Sequence, residues 1–224
     1  MKSTASLVLI SDSMDIRGPL VAALANAEFR VLASRNLSEG LKKIYENLPD
    51  VVLMEDCLSC RDSVDFCYQV GQLSGFPLVL LGEEGACPIG GFERGADYYA
   101  NRPFNVPELI ARVKSLLRRQ GDRISMVRHF LRVEDRCVLL DKGSVKLTRT
   151  EFRLLACMMM GRGRFLPVTD LLSQIWPGKR VTEDSVRFYV SRLREKLDSE
   201  SRYVILNRRG VGYRVAEETT SGSV

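Results

Sequence analysis

The chain has 224 residues, of which 45% are hydrophobic and 27% charged, and its formal net charge is +5. This length suits two domains of ordinary size, and the composition is that of a soluble globular protein rather than a disordered or fibrous one. No apolar run approaches the roughly 20 residues of a membrane span, and the amino-terminal segment lacks a signal-peptide pattern, so we expect a cytoplasmic protein with no membrane partner.

The charge is divided unevenly between the two halves of the chain. Residues 1–119 hold 13 Lys and Arg against 15 Asp and Glu, which gives −2, whereas residues 120–224 hold 20 against 13, which gives +7. Because phosphates attract positive charge, the basic second half is the half that would suit a nucleic-acid partner.

The first half alternates short apolar runs with helical patterns. Strands are predicted at residues 7–10, 30–33, 51–54, 78–81 and 98–100, and helices at residues 16–27, 37–47, 63–73 and 106–119. Pro88, Gly90 and Gly91 predict a short or irregular segment before the last strand. Five such units predict an α/β fold with a doubly wound, five-stranded parallel sheet, whose site lies at the carboxyl ends of the strands.

The second half opens with alternating patterns that predict antiparallel strands at residues 130–133, 137–140 and 144–147. Thr148, with Glu151 three residues later, predicts a capping box at the start of a helix. A further helix is predicted at residues 168–176. This mixture of a small sheet and helices predicts an α+β domain.

Residues 181–215 predict one helix followed by one hairpin. At about 100° per residue, one side of the helix is an apolar, core-facing stripe formed by Val186, Val190, Leu193 and Leu197. The opposite side carries Arg187, Phe188, Ser191, Arg192 and Arg194, and the hairpin tip carries Arg208 and Arg209. A helix and a hairpin that both carry arginines could contact a major groove and the adjacent minor groove of DNA. The charge alone equally fits a solvated helix beside an ordinary surface hairpin.

Four motifs of the second half resemble the OmpR/PhoB-type winged-helix DNA-binding domain: LTRTEFRLL at 147–155, VTDLLSQIW at 168–176, RLREKL at 192–197 and RRGVGYRV at 208–215. The resemblance implies double-stranded DNA as the partner. It implies base contacts from Phe188, Arg192 and Arg194, and further contacts from Arg187, Tyr189, Ser191, Asn207, Arg208 and Arg209, with Arg209 in the minor groove. The loop that begins at residue 177 is implied to meet RNA polymerase.

The first half resembles a response-regulator receiver domain through PDVVLME at 49–55, GADYYANRPF at 95–104 and VPELIARVKSLLRR at 106–119. The whole chain is thus similar to an OmpR/PhoB-family response regulator with an atypical receiver. We expect the receiver at residues 1–119, a linker at 120–129, the winged-helix domain at 130–217 and a flexible tail at 218–224.

The sequence departs from the receiver pattern at most functional positions. The family places two acids after its first strand to bind Mg²⁺, a phosphorylatable Asp after its third, a Thr or Ser after its fourth and a Lys before a Pro after its fifth. This chain has Ser11, Asp12, Glu55, Gly82 and Arg102 there. A carboxylate attacks phosphorus only with a metal and a lysine to neutralise the developing charge. We therefore expect no phosphoryl switching, and a pairing of Glu55 with Arg102.

Two alternatives stay open from the sequence. A conventional response regulator would accept phosphate from a cognate kinase at Asp56 or Glu55, although the shift of one residue to Asp56 turns the side chain to the other side of the strand. Cys57 and Cys60 form a C-x-x-C pair and Cys87 follows the fourth strand, which allows thiol redox sensing.

The resemblance also implies a homodimer through the segment before the fifth strand, that strand and the next helix, with Asp97, Tyr98, Glu108 and Arg112 on this face. Tyr99 occupies the family's aromatic switch position, where Gly82 offers it no hydroxyl partner. No catalytic triad, nucleotide loop or zinc spacing occurs, so we expect no enzymatic activity, no cofactor and no metal site.

Overall fold

The computed structural model describes residues 4–56, 66–67, 70, 76–86, 88–119, 127, 130–140, 143–161, 163–177, 179–197 and 201–217. The chain divides into two compact units, Met1–Arg123 and Ile124–Val224. Each unit buries its own set of apolar side chains. Among the described residues, no helix combines the length and the apolarity that crossing a bilayer requires.

The first unit is built on a parallel sheet whose strand order is β2-β1-β3-β4-β5. Its strands are β1 Ser6–Ile10, β2 Arg30–Ser34, β3 Val51–Glu55, β4 Leu78–Gly82 and β5 Tyr98–Asn101. Its described helices are α1 Met14–Asn26, α2 Leu37–Asn47, α3 Ile89–Glu93 and α4 Val106–Arg119. The predicted doubly wound fold is confirmed.

The sheet forms because its central strands are apolar on both faces. Every residue of β1 and β4 is buried, as expected of parallel strands covered on both sides by helices. Helix α2 begins where the Asn36 side chain accepts a hydrogen bond from the Glu39 amide at 2.8 Å. This order places the carboxyl ends of β1, β3 and β4 side by side, where polar side chains can meet.

The predicted elements of this unit agree with the structure apart from the strand ends and the ends of the first helix, predicted at residues 16–27 and found at Met14–Asn26. The predicted helices at 37–47 and 106–119 have these bounds, and the segment before β5 is a single five-residue helix, as its proline and glycines predict. The helix predicted at residues 63–73 lies largely outside the described residues.

The second unit contains a three-stranded antiparallel sheet, three described helices and a hairpin. The sheet strands are β6 Leu131–Arg132, β7 Cys137–Leu140 and β8 Gly143–Lys146. The helices are α5 Arg149–Met160, α6 Val168–Ile175 and α7 Glu183–Leu197. The hairpin, here called the wing, is β9 Tyr203–Arg208 and β10 Gly212–Glu217. The antiparallel start and the helix–hairpin end are both confirmed.

Local contacts explain where α5 begins and how the wing is attached. The predicted capping box is present: the Glu151 amide donates to the Thr148 hydroxyl, and the Thr148 amide donates to the Glu151 carboxylate. Leu166 and Tyr213 exchange two backbone hydrogen bonds, which attach β10 to the chain before α6. A Cβ at Gly212, where φ is +144°, would collide with the Leu166 carbonyl, so the close approach requires glycine.

Candidate functional site

The carboxyl end of the parallel sheet holds an ion pair between Glu55 and Arg102. A terminal nitrogen of Arg102 bonds Oε1 of Glu55, and the Ser13 amide donates to Oε2 at 3.4 Å. The Glu55 side chain is only 13% exposed, so this bond lies mostly away from solvent. The predicted pairing of Glu55 with Arg102 is therefore present, and it occupies the carboxylate at the end of β3.

The remaining residues of the receiver pocket do not complete a Mg²⁺ site. Ser11 is buried and its hydroxyl donates to the Ser13 carbonyl at 3.1 Å, while Asp12 is exposed. Within the described residues, no group of three or more His, Cys, Asp and Glu side chains is placed to hold a metal ion. Magnesium prefers several oxygen ligands, of which this set offers one free carboxylate. These residues do not fit the ion that the family's acids bind.

Next to Glu55 in the chain, Asp56 forms a buried cluster with Arg94 and Tyr99 that the sequence did not reveal. Asp56 accepts from a terminal nitrogen of Arg94 at 2.9 and 2.7 Å and from the Tyr99 hydroxyl at 2.8 Å. Its side chain is fully buried, and that of Arg94 is 13% exposed. A Cβ at Gly82 would collide with the Tyr99 ring, so this glycine provides the space that Tyr99 fills. The prediction that Gly82 offers Tyr99 no hydroxyl partner stands, and the structure supplies Asp56 as its partner instead.

Glu55 and Asp56 thus engage different partners although they are adjacent. The alternation of side chains along a strand accounts for this, since one shift turns the side chain to the other face. The Asp56 side chain is buried, and both of its oxygens already accept hydrogen bonds. This geometry weakens its candidacy as a phosphoacceptor.

Three of the four residues proposed for a dimer face lie together. The Arg112 guanidinium lies 5.4 Å from the Tyr98 ring centroid and 3.8 Å from a Glu108 oxygen. Asp97 has a different role in the structure, because its carboxylate accepts the Leu78 amide at 2.8 Å at the start of β4.

The candidate redox cysteines, Cys57, Cys60 and Cys87, lie outside the described residues. The described cysteines, Cys67, Cys137 and Cys157, are buried and form no disulfide with one another. Burial raises the pKa of Cys67 to about 12, which disfavours the reactive thiolate at this position.

Helix α7, here called the recognition helix, has the two faces that its sequence predicts. Its apolar stripe is buried, with Val186, Val190, Leu193 and Leu197 at most 3% exposed. On the other side, Phe188 is 55% exposed, and the Arg192 guanidinium lies over its ring, 5.5 Å from the centroid. Tyr189 packs between Phe188 and Trp176, with ring centroids 5.4 and 5.5 Å away.

Two other arginines of the recognition helix contact this domain itself. Arg194 donates to the Ile205 carbonyl of the wing through Nε at 3.1 Å and a terminal nitrogen at 2.7 Å. Arg187 pairs with Asp184 at 3.0 Å and with Glu183 at 3.4 Å. The resemblance implied DNA contacts for both arginines. The partner of Arg194 leaves no trace in the sequence because it is a backbone carbonyl, whereas Glu183 and Asp184 stand four and three residues before Arg187, a spacing that predicts such ion pairs.

The tip of the wing is open to solvent. Asn207, Arg208 and Arg209 are exposed, and Gly210 has φ +75°, which permits the tight turn. A groove runs between the wing, the start of α6 and the start of the recognition helix, and arginines 187, 208 and 209 are among the residues that line it. The structure therefore brings two of the predicted DNA-contacting regions to one basic groove.

A buried carboxylate lies beneath the recognition helix. Oε2 of Glu151 accepts from the Lys196 ammonium at 2.7 Å as well as from the Thr148 amide at 2.7 Å. Burial raises the pKa of the Glu151 carboxyl, but the hydrogen bonds from Lys196 and Thr148 outweigh burial and hold this pKa below its usual range. The capping box signalled Glu151 in the sequence, but not its link to the recognition helix.

A basic helix and wing on a small α+β domain, after a doubly wound domain, define a class of DNA-binding transcription regulators. Residues 142–215 match the family model described as "Transcriptional regulatory protein, C terminal". The KDP operon transcriptional regulatory protein KdpE of Escherichia coli (strain K12) is 31% identical over 222 residues, covering 93% of this chain and 98% of that protein. The chain therefore belongs to the OmpR/PhoB family of response regulators.

Two further proteins are similar to this chain. The transcriptional regulator ycf27 of Guillardia theta is 28% identical over 232 residues, covering 95% of this chain and 91% of that protein. A response regulator of known crystal structure from Chloroflexus aurantiacus J-10-fl is 31% identical, with a TM-score of 0.49, over 52% of this chain and 100% of its own.

Proposed function

We propose that this response regulator binds specific promoter half-sites as a homodimer and acts without phosphorylation of its receiver. The single observation that carries phosphorylation independence is the ion pair of Glu55 with Arg102, which occupies the carboxylate at the phosphoacceptor position. Glu55 also extends one methylene further than Asp, and the planar guanidinium of Arg102 replaces a lysine's point charge. Such a protein needs no cognate kinase.

The proposed DNA interface combines the outer face of the recognition helix with the wing. Arg192 and Phe188 are exposed and lie where a major groove would present base edges and thymine methyl groups. Arg208 and Arg209, exposed at the wing tip, support contact with an adjacent minor groove. The exposed Lys179 and Arg180, in the loop before the recognition helix, support contacts with RNA polymerase or with phosphates. A dimer would bind half-sites about one helical turn apart.

Treatment with acetyl phosphate and Mg²⁺ is expected to leave the mass of the full-length protein unchanged. The physical reason is that Glu55 is paired and that Ser11 supplies no carboxylate to a metal. Intact-protein mass spectrometry measures the outcome. A triple variant with Ser11→Asp, Glu55→Asp and Arg102→Lys restores the family's pair of acids, its phosphoacceptor and its lysine while keeping Gly82. It serves as the control, which we expect to gain one phosphoryl group. A gain of that mass by the unaltered protein would contradict phosphorylation independence.

The Phe92→Asp variant is expected to weaken dimerisation about tenfold or more. Phe92 is 48% exposed on α3 and contacts Tyr99 edge-on, and Ile89 beside it is 63% exposed, so both offer apolar area to a second copy. Sedimentation-velocity titration of the full-length protein measures the dissociation constant. Met14→Asp, at a 66% exposed position on α1, is the matched control and should leave it unchanged. A monomeric unaltered protein, or equal effects of both variants, would refute this dimer face.

A further inference from the structure

We propose that Glu151 is a positioning residue that aims Arg192 at a guanine base, with Phe188 also contacting the guanidinium. This inference rests on the proposed DNA-binding role of the recognition helix and adds the base that one of its side chains would recognise. It concerns a residue of α5, which lies beneath the recognition helix and carries none of the contacts that the resemblance implies.

Only one of the two oxygens of the buried Glu151 carboxylate accepts hydrogen bonds from the described residues. Oε2 accepts from Lys196 and from the Thr148 amide, whereas Oε1 is buried and accepts no hydrogen bond among the described residues. The Glu151 side chain is 1% exposed, so solvent does not reach this oxygen freely. An ionised oxygen left in this condition attracts the nearest donor.

Arg192 provides that donor. Its Nε lies 3.9 Å from Oε1, slightly beyond hydrogen-bond distance, so a small movement of the side chain completes the bond. Arg192 and Lys196 are four residues apart and therefore lie on the same side of the helix, next to the same carboxylate. Glu151 thus links the start of α5 to one side of the recognition helix.

Phe188 also contacts the guanidinium of Arg192. Phe188 precedes Arg192 by one helical turn, and the guanidinium carbon lies 5.5 Å from its ring centroid. This contact gives a reason for a large apolar side chain to be 55% exposed in the middle of a polar face. The Glu151 carboxylate near Nε and the Phe188 ring near the guanidinium carbon together restrict the rotamers that Arg192 can adopt.

The exposed edge of the Arg192 guanidinium also indicates which DNA base would bind it. When Nε faces Glu151, the outer edge of the Arg192 guanidinium, with one N–H from each terminal nitrogen, stays free for another partner, and the side chain is 53% exposed. A pair of parallel donors matches the O6 and N7 acceptors of guanine in the major groove. An arginine already restricted to this orientation loses less freedom on binding, which favours the matching base over the other three.

The test is a double-mutant cycle on the full-length protein, by fluorescence anisotropy at one salt concentration. The probe is a DNA duplex selected from random sequence, with the four bases exchanged at the position whose preference Arg192→Ala abolishes. Glu151→Gln is expected to reduce the preference for guanine there at least threefold, and to change nothing further when Arg192 is already alanine. Phe188→Leu, which keeps an apolar side chain but removes the ring, should lower the same preference.

Two controls separate positioning from folding. Glu195→Gln removes an exposed acid of the same helix, and we expect unchanged base preferences. Thermal unfolding monitored by the fluorescence of Trp176, the single tryptophan, shows whether each variant folds. If Glu151→Gln lowers the melting temperature while every base preference persists, or if its effect adds fully to that of Arg192→Ala, the inference is wrong. If Glu151→Gln does not fold, an unchanged guanine preference in Phe188→Leu overturns it.

The same titrations distinguish failure of the proposed DNA-binding function from failure of the positioning role. A protein that binds all duplexes equally would contradict sequence-specific binding, and the positioning role would fall with it. A protein that selects a site but shows no coupling between Glu151 and Arg192 would remove the positioning role alone.

Discussion

The Asp56→Ala variant is expected to lose about 3–5 kcal/mol of stability in the receiver, because one partner of a buried ion pair disappears. Arg94, which is 13% exposed, would keep its charge without a counter-ion, and the buried Tyr99 hydroxyl would lose its acceptor. Hydrogen exchange of full-length protein, read from peptides that cover β3 to β5, measures this loss within the receiver. We expect this loss of stability to exceed the loss caused by substitution of any single exposed residue in the same unit.

Glu93→Ala is the matched control for Asp56→Ala. It removes an exposed carboxylate next to Arg94, at the end of α3, and should leave exchange within β3 to β5 unchanged. Asp56→Asn keeps a hydrogen-bond acceptor but removes the charge. Its loss of stability should lie between the losses of Asp56→Ala and Glu93→Ala. Equal exchange protection in Asp56→Ala and the unaltered protein would mean that the cluster contributes nothing to stability.

The Arg194→Ala variant is expected to weaken specific DNA binding roughly ten- to hundredfold. Its two hydrogen bonds to the Ile205 carbonyl join the recognition helix to the wing, and hydrogen bonds to a charged group are worth about 1.5–3 kcal/mol. Without them, helix and wing must be ordered relative to each other when DNA binds. Anisotropy titration against a selected duplex measures the affinity, and faster amide exchange in residues 203–208 would show the loosened wing.

Arg132→Ala is the control for Arg194→Ala, since it removes the same charge from an exposed position in β6 that pairs with Asp135. It should change affinity less than twofold. If Arg194→Ala relaxes the preference at one base pair and leaves exchange of the wing unchanged, then Arg194 contacts a base instead of the wing. If both variants weaken binding equally, net charge alone accounts for the result.

Patterns that depend on local periodicity were predictable from the sequence, and contacts that join distant segments mostly were not. The buried stripe of the recognition helix follows from a 3.6-residue period, and the capping box from a three-residue spacing. The pairing of Glu55 with Arg102 was predictable because the resemblance aligned both positions with one pocket. No such alignment pointed to Arg94, so the Asp56 cluster became visible only in three dimensions.

The same limit applies to the candidate DNA interface. Sequence periodicity placed five polar or aromatic residues on one side of the helix, but treated the arginines as equivalent. The structure separates them by partner: Arg194 bonds a carbonyl, Arg187 pairs with neighbouring acids, and Arg192 lies near a buried carboxylate. Because guanidinium groups bind carbonyls, carboxylates and bases alike, residue type alone does not distinguish these roles.

The slot that Tyr99 fills at Gly82 limits which substitutions the receiver tolerates at position 82. A threonine or serine introduced at position 82 would collide with the tyrosine ring while Asp56 and Arg94 hold it in place. Either substitution made alone would therefore cost stability, and natural proteins have little stability to spare. The order of two substitutions therefore matters: a change at Asp56, which accepts the Tyr99 hydroxyl, would have to release the ring before position 82 could take a hydroxyl side chain.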